Sequence, residues 1–340
     1  MASRRWTTGR TAAAGIAVAG VVGLGLLALP AGAGAAPVLP PVEPEELVAS
    51  VLAADPDAFA GTVELDNSLG LPALPELPQA ADGTSTARIW SDGDDGGRVQ
   101  LPTDTGERTL VTDGETFWAW DSADRTVVTG EGGEHGRGPA ADMADPTAAA
   151  AEAIGMLEAT SVVTVDGTAE VAGRPAYELV LAPAPDERTL LREVRIAVDA
   201  EQRIPLRLTV LANGSSDPAL QVGFTELAFG PQDPSLFTFT PPPGATVESP
   251  PAGDARPERE RPDGAASTVV GDGWDTVLVA TAPTGDAEGM DLSTLGAPVS
   301  GPWGSGTLIS TAVANAIVTD DGRVAAGAVP EQVLTEALTR

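Results

Sequence analysis

Four segments between Arg174 and Phe239 carry apolar residues at every second position. This alternation is typical of strands with one buried face, because successive strand side chains point to opposite sides of a sheet. The pattern therefore predicts neighbouring strands that share a continuous apolar surface. The predicted strands are residues 176–181, 194–198, 204–210 and 220–224.

A second region of alternating segments, residues 86–128, contains the Asp-Gly pairs at 92–93, 95–96 and 113–114, and a strand at 59–65 precedes it. Asp-Gly between alternating segments is a strong hairpin signal, so this region predicts consecutive hairpins. In the hairpin at 108–121, Trp118 and Trp120 share one face and Phe117 has the other. Strand tryptophans usually belong to a core, which leaves core and ligand contact as alternatives for this pair.

Two amphipathic helices are available to cover the predicted sheet. One spans 45–54 and ends before Pro56, because the residue before a proline disfavours helical backbone. The other spans 146–159, with Asp145 as its N-cap and Pro146 at its first position. Helices that pack flush would make the apolar face a core. A gap would leave an apolar cavity suited to an acyl chain, at about 0.8 kcal/mol per buried methylene.

The candidates for lipid contact follow from these strand and helix faces. Two more come from a repeat in which leucine precedes proline every third residue, at 71, 74 and 77, since a polyproline-like chain aligns such residues on one edge. Packing on their own domain is the alternative for these leucines. The complete set is Leu47, Val51, Leu71, Leu74, Trp90, Leu110, Trp118, Trp120, Ile154, Leu157, Leu179, Val194, Ile196, Leu206, Leu208, Val222 and Phe224.

The first 35 residues have the composition of a secretory signal peptide. Arg4, Arg5 and Arg10 precede an uncharged apolar run that ends in small residues near 33–36. We therefore expect export across the cytoplasmic membrane, into a periplasm-like space or the medium. An uncleaved N-terminal anchor is the alternative, because the run is just long enough to span a bilayer.

The rest of the chain divides where its composition changes. Residues 36–247 hold the predicted strands and helices, and the stretch rich in Pro, Gly and charge at 248–267 reads as an extended linker. Residues 268–340 are predicted to form a small C-terminal domain. Its expected elements are a strand at 274–281, a hairpin of 307–319 with 324–329, and a closing helix at 330–338.

The charge of the chain excludes one class of partner. The formal net charge is −30, and loss of the three arginines of the signal peptide would make it −33. Nucleic acid is therefore not an expected partner, because phosphate binding depends on lysine and arginine. The chain has no cysteine, which excludes disulfides, thiolate metal sites and a lipobox cysteine.

Candidate catalytic and metal-binding residues are few. The single histidine, His135, lies in a glycine-rich stretch, and no lysine is present for a phosphate-binding loop. The acidic run at 92–96 has glycine at its fifth position and no glutamate at its twelfth, so it favours a hairpin turn over a calcium loop. We expect a protein that is not an enzyme and that has neither cofactor nor metal.

Several short motifs occur in a characteristic order along these predicted elements. They are Phe59-Ala60-Gly61-Thr62-Val63, residues 68–72, 110–121 and 173–179, Ile204-Pro205-Leu206-Arg207-Leu208, and 237–241. Together they cover about 42–247, and they resemble the lipoprotein-localisation carrier (LolA) superfamily, including its RseB-like regulators. The resemblance implies an α+β fold: an unclosed antiparallel β-barrel, or half-barrel, whose concave apolar face is covered by helices, plus a small C-terminal α+β domain.

The same resemblance implies a function for the apolar face. It would hold lipid or lipoprotein acyl chains, as a carrier or a sensor. An RseB-like regulatory module that binds a membrane protein partner, either an anti-sigma factor or a transporter, is a second hypothesis. The residues themselves leave a third open, a structural cell-envelope protein whose apolar face is fully packed.

Overall fold

A computed structural model describes residues 36–70, 82–131, 146–248, 267–281 and 296–340. Within these ranges the chain forms a large sheet, a small sheet and three α-helices. The helices are α1 (Pro44–Leu52), α2 (Pro146–Leu157) and α3 (Glu331–Thr339). None of the described helices has the length and apolar character needed to cross a membrane.

The large sheet has twelve strands in the order β12-β6-β5-β4-β3-β2-β1-β11-β10-β9-β8-β7. Neighbours are antiparallel except β12 and β6, which are parallel. Its two edges, β12 and β7, are not paired with each other, so the predicted α+β class and unclosed sheet are confirmed. The strands are β1 (Phe59–Asn67), β2 (Gly83–Ser91), β3 (Gly96–Thr103), β4 (Gly106–Asp113), β5 (Thr116–Asp121), β6 (Thr126–Glu131), β7 (Ser161–Val171), β8 (Arg174–Pro183), β9 (Leu191–Asp199), β10 (Pro205–Ala212), β11 (Pro218–Phe229) and β12 (Thr246–Glu248).

The main core lies on the half of this sheet formed by β1 and β8–β11. Helices α1 and α2 contact each other, and α2 packs on β10 and β11. Leu47 of α1, Ile154 of α2 and Leu206 of β10 are fully buried in one cluster. At Gly61 the ring of Phe224 occupies the place of a side chain, 2.7 Å from where a Cβ would stand. In this half the helices pack flush against the sheet.

A buried ion pair joins the ends of β8 and β9. The Arg174 guanidinium bonds both carboxylate oxygens of Asp199, which is 0% exposed. Burial by itself favours the neutral acid, but the bonds from Arg174 and from the backbone N–H groups of Gln202 and Glu201 outweigh it. Together they lower the pKa of Asp199 below its ordinary value of 3.8.

The small sheet has six strands in the order β13-β14-β18-β17-β16-β15. Helix α3 packs on one of its faces, where Leu334 and Ile317 are fully buried. Gly322 makes the β17–β18 turn with a φ of 86°, a left-handed conformation that favours glycine. The strands are β13 (Ser267–Val270), β14 (Val277–Thr281), β15 (Ala297–Gly301), β16 (Gly304–Ser310), β17 (Asn315–Thr319) and β18 (Arg323–Gly327).

The two sheets share a buried side chain. Trp274, in a 3-10 turn just before β14, is 2% exposed and belongs to the core of the large sheet. Its indole Nε1 donates to Ser161 Oγ at 2.8 Å. A second link is the backbone N–H of Leu190, which donates to the carbonyl of Ala328 at 2.8 Å. The small sheet is therefore fixed to the large one by apolar burial as well as by hydrogen bonds.

Some elements differ from the sequence predictions. The sequence predicts no element between the strand at 220–224 and the linker, where the structure has a 3-10 turn, Pro234–Phe237, because Asp233 accepts from the N–H of Ser235 and Pro234 starts the turn. Strand β7 was not predicted, since a bulge near Gly167 interrupts its alternation. The signal peptide, His135, Leu71, Leu74 and most of the expected linker lie outside the described residues.

Trp274 offers a direct test of the link between the sheets. Trp274→Ala should lower the free energy of unfolding by about 3–5 kcal/mol, because it empties a site inside the core of the large sheet. Trp274→Phe should cost less, since it keeps most of the apolar volume and loses only the bond to Ser161. Urea denaturation of the whole chain measures both. Equal, small losses for the two variants would contradict the burial.

The Arg174–Asp199 pair predicts a pH dependence of stability. The pKa of Asp199 is lowered in the folded state. The contribution of the Asp199 carboxylate to the free energy of unfolding is therefore complete above pH 3.8 and is lost as the pH falls towards that lowered pKa. Asp199→Asn should cost about 3 kcal/mol near neutral pH, and the difference from wild type should narrow below pH 3.8. Denaturant titrations across this range measure it, with Asp217→Asn as an exposed control. A difference in unfolding free energy between wild type and Asp199→Asn that does not change with pH would contradict the lowered pKa of Asp199.

Candidate functional site

The face of the large sheet on which α1 and α2 pack is called the concave face. It is open over β2–β5, next to the part that the helices cover. A cleft of about 710 Å³ lies there. Its floor comes from these strands and its walls from α1, α2 and the start of β10. The lining residues are Val51, Leu52, Ala54, Pro56, Phe59, Ile89, Trp90, Ser91, Asp94, Asp95, Gly96, Gly97, Arg98, Val99, Leu110, Thr112, Gly114, Phe117, Thr147, Ala151, Ile204 and Pro205.

The floor of the cleft is set by the register of the hairpins. Ile89 pairs with Val99, Val99 pairs with Leu110, and Thr112 pairs with Phe117. Directly paired residues of antiparallel strands place their side chains on the same face. Ile89, Val99 and Leu110 therefore form an apolar row across three strands, and Phe117 extends it to the fourth.

The wall of the cleft comes from the helices. The last turn of α1 contributes Val51 and Leu52, and Leu52 is 52% exposed. Helix α2 contributes Thr147 and Ala151 from its first turns. Thr147 Oγ1 donates to the carbonyl of Pro205 at 3.2 Å, which ties the start of α2 to β10. The wall is thus held by contacts with the packed half of the sheet.

Polar groups at the cleft are mostly engaged within their own turns. Asp92 Oδ1 accepts from the N–H groups of Asp94 and Gly96, each at 2.9 Å, so the acidic run at 92–96 is a hairpin turn. Ser91 Oγ accepts from Gly93 N, and Thr112 Oγ1 accepts from Gly114 N. Among the described residues, no group of three or more His, Cys, Asp or Glu is arranged to hold a metal.

The predicted contact residues divide into three groups. Val51 and Leu110 line the cleft. Trp118, Trp120 and the side chain of Trp90 lie on the opposite face, since Trp90 borders the cleft but pairs with Arg98, which pairs with Val111. Leu157 packs against the main core without being fully buried. The others among the described residues are buried within that core: Leu47, Ile154, Leu179, Val194, Ile196, Leu206, Leu208, Val222 and Phe224.

Trp118 and Trp120 are placed on the opposite face of the sheet from the cleft. Trp118 pairs with Val111, and Trp120 pairs with Val127. Both valines are 0% exposed. The turn Pro234–Phe237 lies over β3 and β4 on that side, where Arg98 Nη1 donates to the Leu236 carbonyl at 3.3 Å. We expected these tryptophans on the face that carries the cleft. The structure places Phe117 on that face and the two tryptophans on the other.

Several lining residues were not among the sequence candidates, notably Ile89, Val99, Thr112 and Phe117. A signal for them exists in the sequence. The Asp-Gly turn at 113–114 fixes the β4–β5 register, so once Leu110 is assigned to the concave face, Thr112 and Phe117 follow. Ile204 and Pro205 carry no comparable local signal, because α2 brings them to the site.

Neither a protein-family model nor a curated protein matches the chain. Among solved structures, the chain is similar to the complex of MucA and MucB of Pseudomonas aeruginosa. The matched chain is 20% identical, the match covers 87% of this chain and 96% of that chain, and the TM-score is 0.48. A LolA superfamily protein of Nitrosomonas europaea is 10% identical, with 58% of this chain and 99% of that chain covered and a TM-score of 0.29. The LolA superfamily is also the one that the sequence motifs resemble.

Proposed function

We propose that this protein is a non-enzymatic extracytoplasmic binding protein that holds the acyl chain of a lipid or lipoprotein in the cleft, as a carrier or a sensor. The observation that supports this most is the apolar row in which the partly exposed Val99 and Leu110 continue from the buried Ile89, with Phe117 beside them. An acyl chain is the ligand that such a row would shield from water. The composition of residues 1–35 supports the extracytoplasmic location.

The size of the cleft suits this occupant. A volume of about 710 Å³ falls within the range of roughly 300–1,000 Å³ typical of small-molecule sites. Burying twelve methylenes would gain about 10 kcal/mol before the costs of ordering the chain. Apolar contact is thus the main source of affinity that the cleft offers, and the exposed Leu52 extends the apolar wall towards solvent.

The hydroxyl groups in the cleft favour binding over chemistry. Ser91 and Thr112 accept backbone bonds within their own turns, and Thr147 donates to the carbonyl of Pro205. Within the described part of the chain, neither Ser91 nor Thr112 bonds a side chain that could act as a base. A nucleophile needs such a partner within hydrogen-bond reach.

Filling the cleft should weaken ligand binding without unfolding the protein. Thr112→Trp places an indole on the concave face, whereas Gln100→Trp places one on the opposite face of β3, and each removes one hydrogen bond. The neutral probe N-phenyl-1-naphthylamine, displaced by monomyristoylglycerol, reports affinity. We expect about a tenfold or greater loss for Thr112→Trp, which is about 1.4 kcal/mol, and little change for Gln100→Trp.

Equal affinity of the two variants would place the ligand outside the cleft. Failure of the wild-type protein to bind either compound would favour the third hypothesis, an envelope protein whose apolar surfaces are all used in packing. Circular dichroism and urea midpoints of both variants would separate loss of binding from loss of folding.

A second function is favoured by the small sheet, which we propose as a docking surface for the extracytoplasmic segment of a membrane protein. The face opposite α3 carries a row of paired uncharged residues, Val269, Leu278, Ala326, Ala316 and Ile309. Val269 is 64% exposed and Leu278 is 47% exposed. In a chain of net charge −30, an uncharged row that is exposed at Val269 and Leu278 and half-buried elsewhere is the kind of surface that partners cover.

A charged residue in the row that contains Val269 and Leu278 should weaken binding of the proposed membrane protein partner. Leu278→Asp is expected to reduce recovery of a membrane protein crosslinked to the chain in intact cells by about tenfold, because an unpaired carboxylate would be buried at the contact. Val162→Asp, at a 52% exposed position on β7, is the matched control. An identical set of crosslinked membrane proteins for wild type and Leu278→Asp would count against this role.

A further inference from the structure

We infer that the cleft selects acyl ligands whose polar end is neutral or cationic and disfavours ligands with an anionic headgroup. This inference rests on the proposed acyl-binding function and adds the chemical class of the ligand. It comes from the charges at one end of the cleft, where two hairpin turns meet.

The two turns, β2–β3 and β4–β5, lie side by side. Gly96 pairs with Asp113, and a Cβ built on Gly114 would stand 2.5 Å from Cβ of Asp95. Asp94 and Asp95 of the first turn and Gly114 of the second all line the cleft. The β2–β3 turn therefore brings carboxylates to the edge of an otherwise apolar floor, and the β4–β5 turn adds Asp113 and Glu115 nearby.

The carboxylates at this edge differ in their present roles. Asp92 caps its own turn, and Asp113 Oδ1 accepts from the N–H groups of Glu115 and Thr116 at 3.0 and 2.8 Å. Asp94 and Asp95 are exposed, and within the described part of the chain neither carboxylate accepts a hydrogen bond or pairs with an arginine. These two are therefore available to interact with the polar end of a ligand.

The nearest arginines do not offset this charge within the cleft. Arg98 is among the lining residues, but its guanidinium donates to the Leu236 carbonyl on the opposite side of β3. Arg88 lies over the ring of Trp90, at 5.5 Å from the centroid, and does not line the cleft. The polar end of a bound acyl compound would thus face net negative charge.

The size of the effect follows from Coulomb's law. A phosphate about 6 Å from two carboxylates in water is disfavoured by up to about tenfold. Salt reduces this, because the screening length is about 10 Å at 0.1 M ionic strength. An ammonium at the same place is favoured by a similar factor, and an uncharged glycerol is indifferent. Selectivity should therefore be modest, dependent on salt and carried by Asp94 and Asp95.

Three compounds with the same myristoyl chain test this: monomyristoylglycerol, myristoylcholine and myristoyl lysophosphatidylglycerol. Each displaces the neutral naphthylamine probe at low and high salt. We expect the lysophosphatidylglycerol to bind wild type about tenfold more weakly than monomyristoylglycerol at low salt, with myristoylcholine at least as tight as the neutral compound. The Asp94→Asn, Asp95→Asn double variant should bring all three to within about twofold.

The matched control removes two exposed acids elsewhere, Asp217 in the β10–β11 turn and Glu170 on β7, as Asp217→Asn with Glu170→Gln. It should keep the wild-type order of affinities. The proposed charge selectivity is wrong if the anionic compound binds wild type as tightly as the neutral one, or if the Asn double variant keeps the wild-type order of affinities. Neither result contradicts acyl binding in the cleft. If none of the three binds wild type, the proposed function itself fails.

Discussion

The structure depends on a mismatch between the width of a curved sheet and the helices available to cover it. Helices of nine and twelve residues are about 14 and 18 Å long, and each is about 10 Å wide with its side chains. Twelve strands spaced about 4.8 Å apart span roughly 50 Å. Two adjacent helices therefore cover about four strands. Helix α1 contacts β7 and α2 contacts β10 and β11, while Val99, Leu110 and Phe117 on β3–β5 line the cleft without a covering helix.

The opposite, convex face of the same region is covered by the chain that follows β11. After β11 the chain returns, and the turn Pro234–Phe237 lies over β3 and β4. Val111 and Val127 are fully buried on that side. Strands β3–β6 thus have apolar residues on both faces, one packed by the returning chain and the other lining the cleft. The packing of the convex face allows the concave face to stay open while the sheet remains folded.

The sequence predicted the packed half well, because alternation there is strong and the covering helices have clear start and stop signals. The strands predicted at 176–181, 194–198, 204–210 and 220–224 correspond to β8–β11, and of their residues only Ile204 lies outside a strand. It predicted the cleft poorly, because alternation shows that two faces differ without showing which one is covered. The side of β5 that carries Trp118 is decided by a turn more than a hundred residues later, which no local pattern contains.

Helix α2 connects the cleft with the small sheet. Its first turns line the cleft through Thr147 and Ala151. The same helix contacts the 3-10 turn that carries Trp274 into the main core. Helix α2 would therefore connect the two proposed binding surfaces, the cleft and the small sheet.

The central claim is that the open half of the concave face holds an acyl chain. Native mass spectrometry of the protein, exported by its own host and purified without detergent, tests it most directly. We expect a mass excess that disappears on lipid extraction and is reduced in Thr112→Trp. A wild-type protein that carries no lipid and takes none up from monomyristoylglycerol would contradict it.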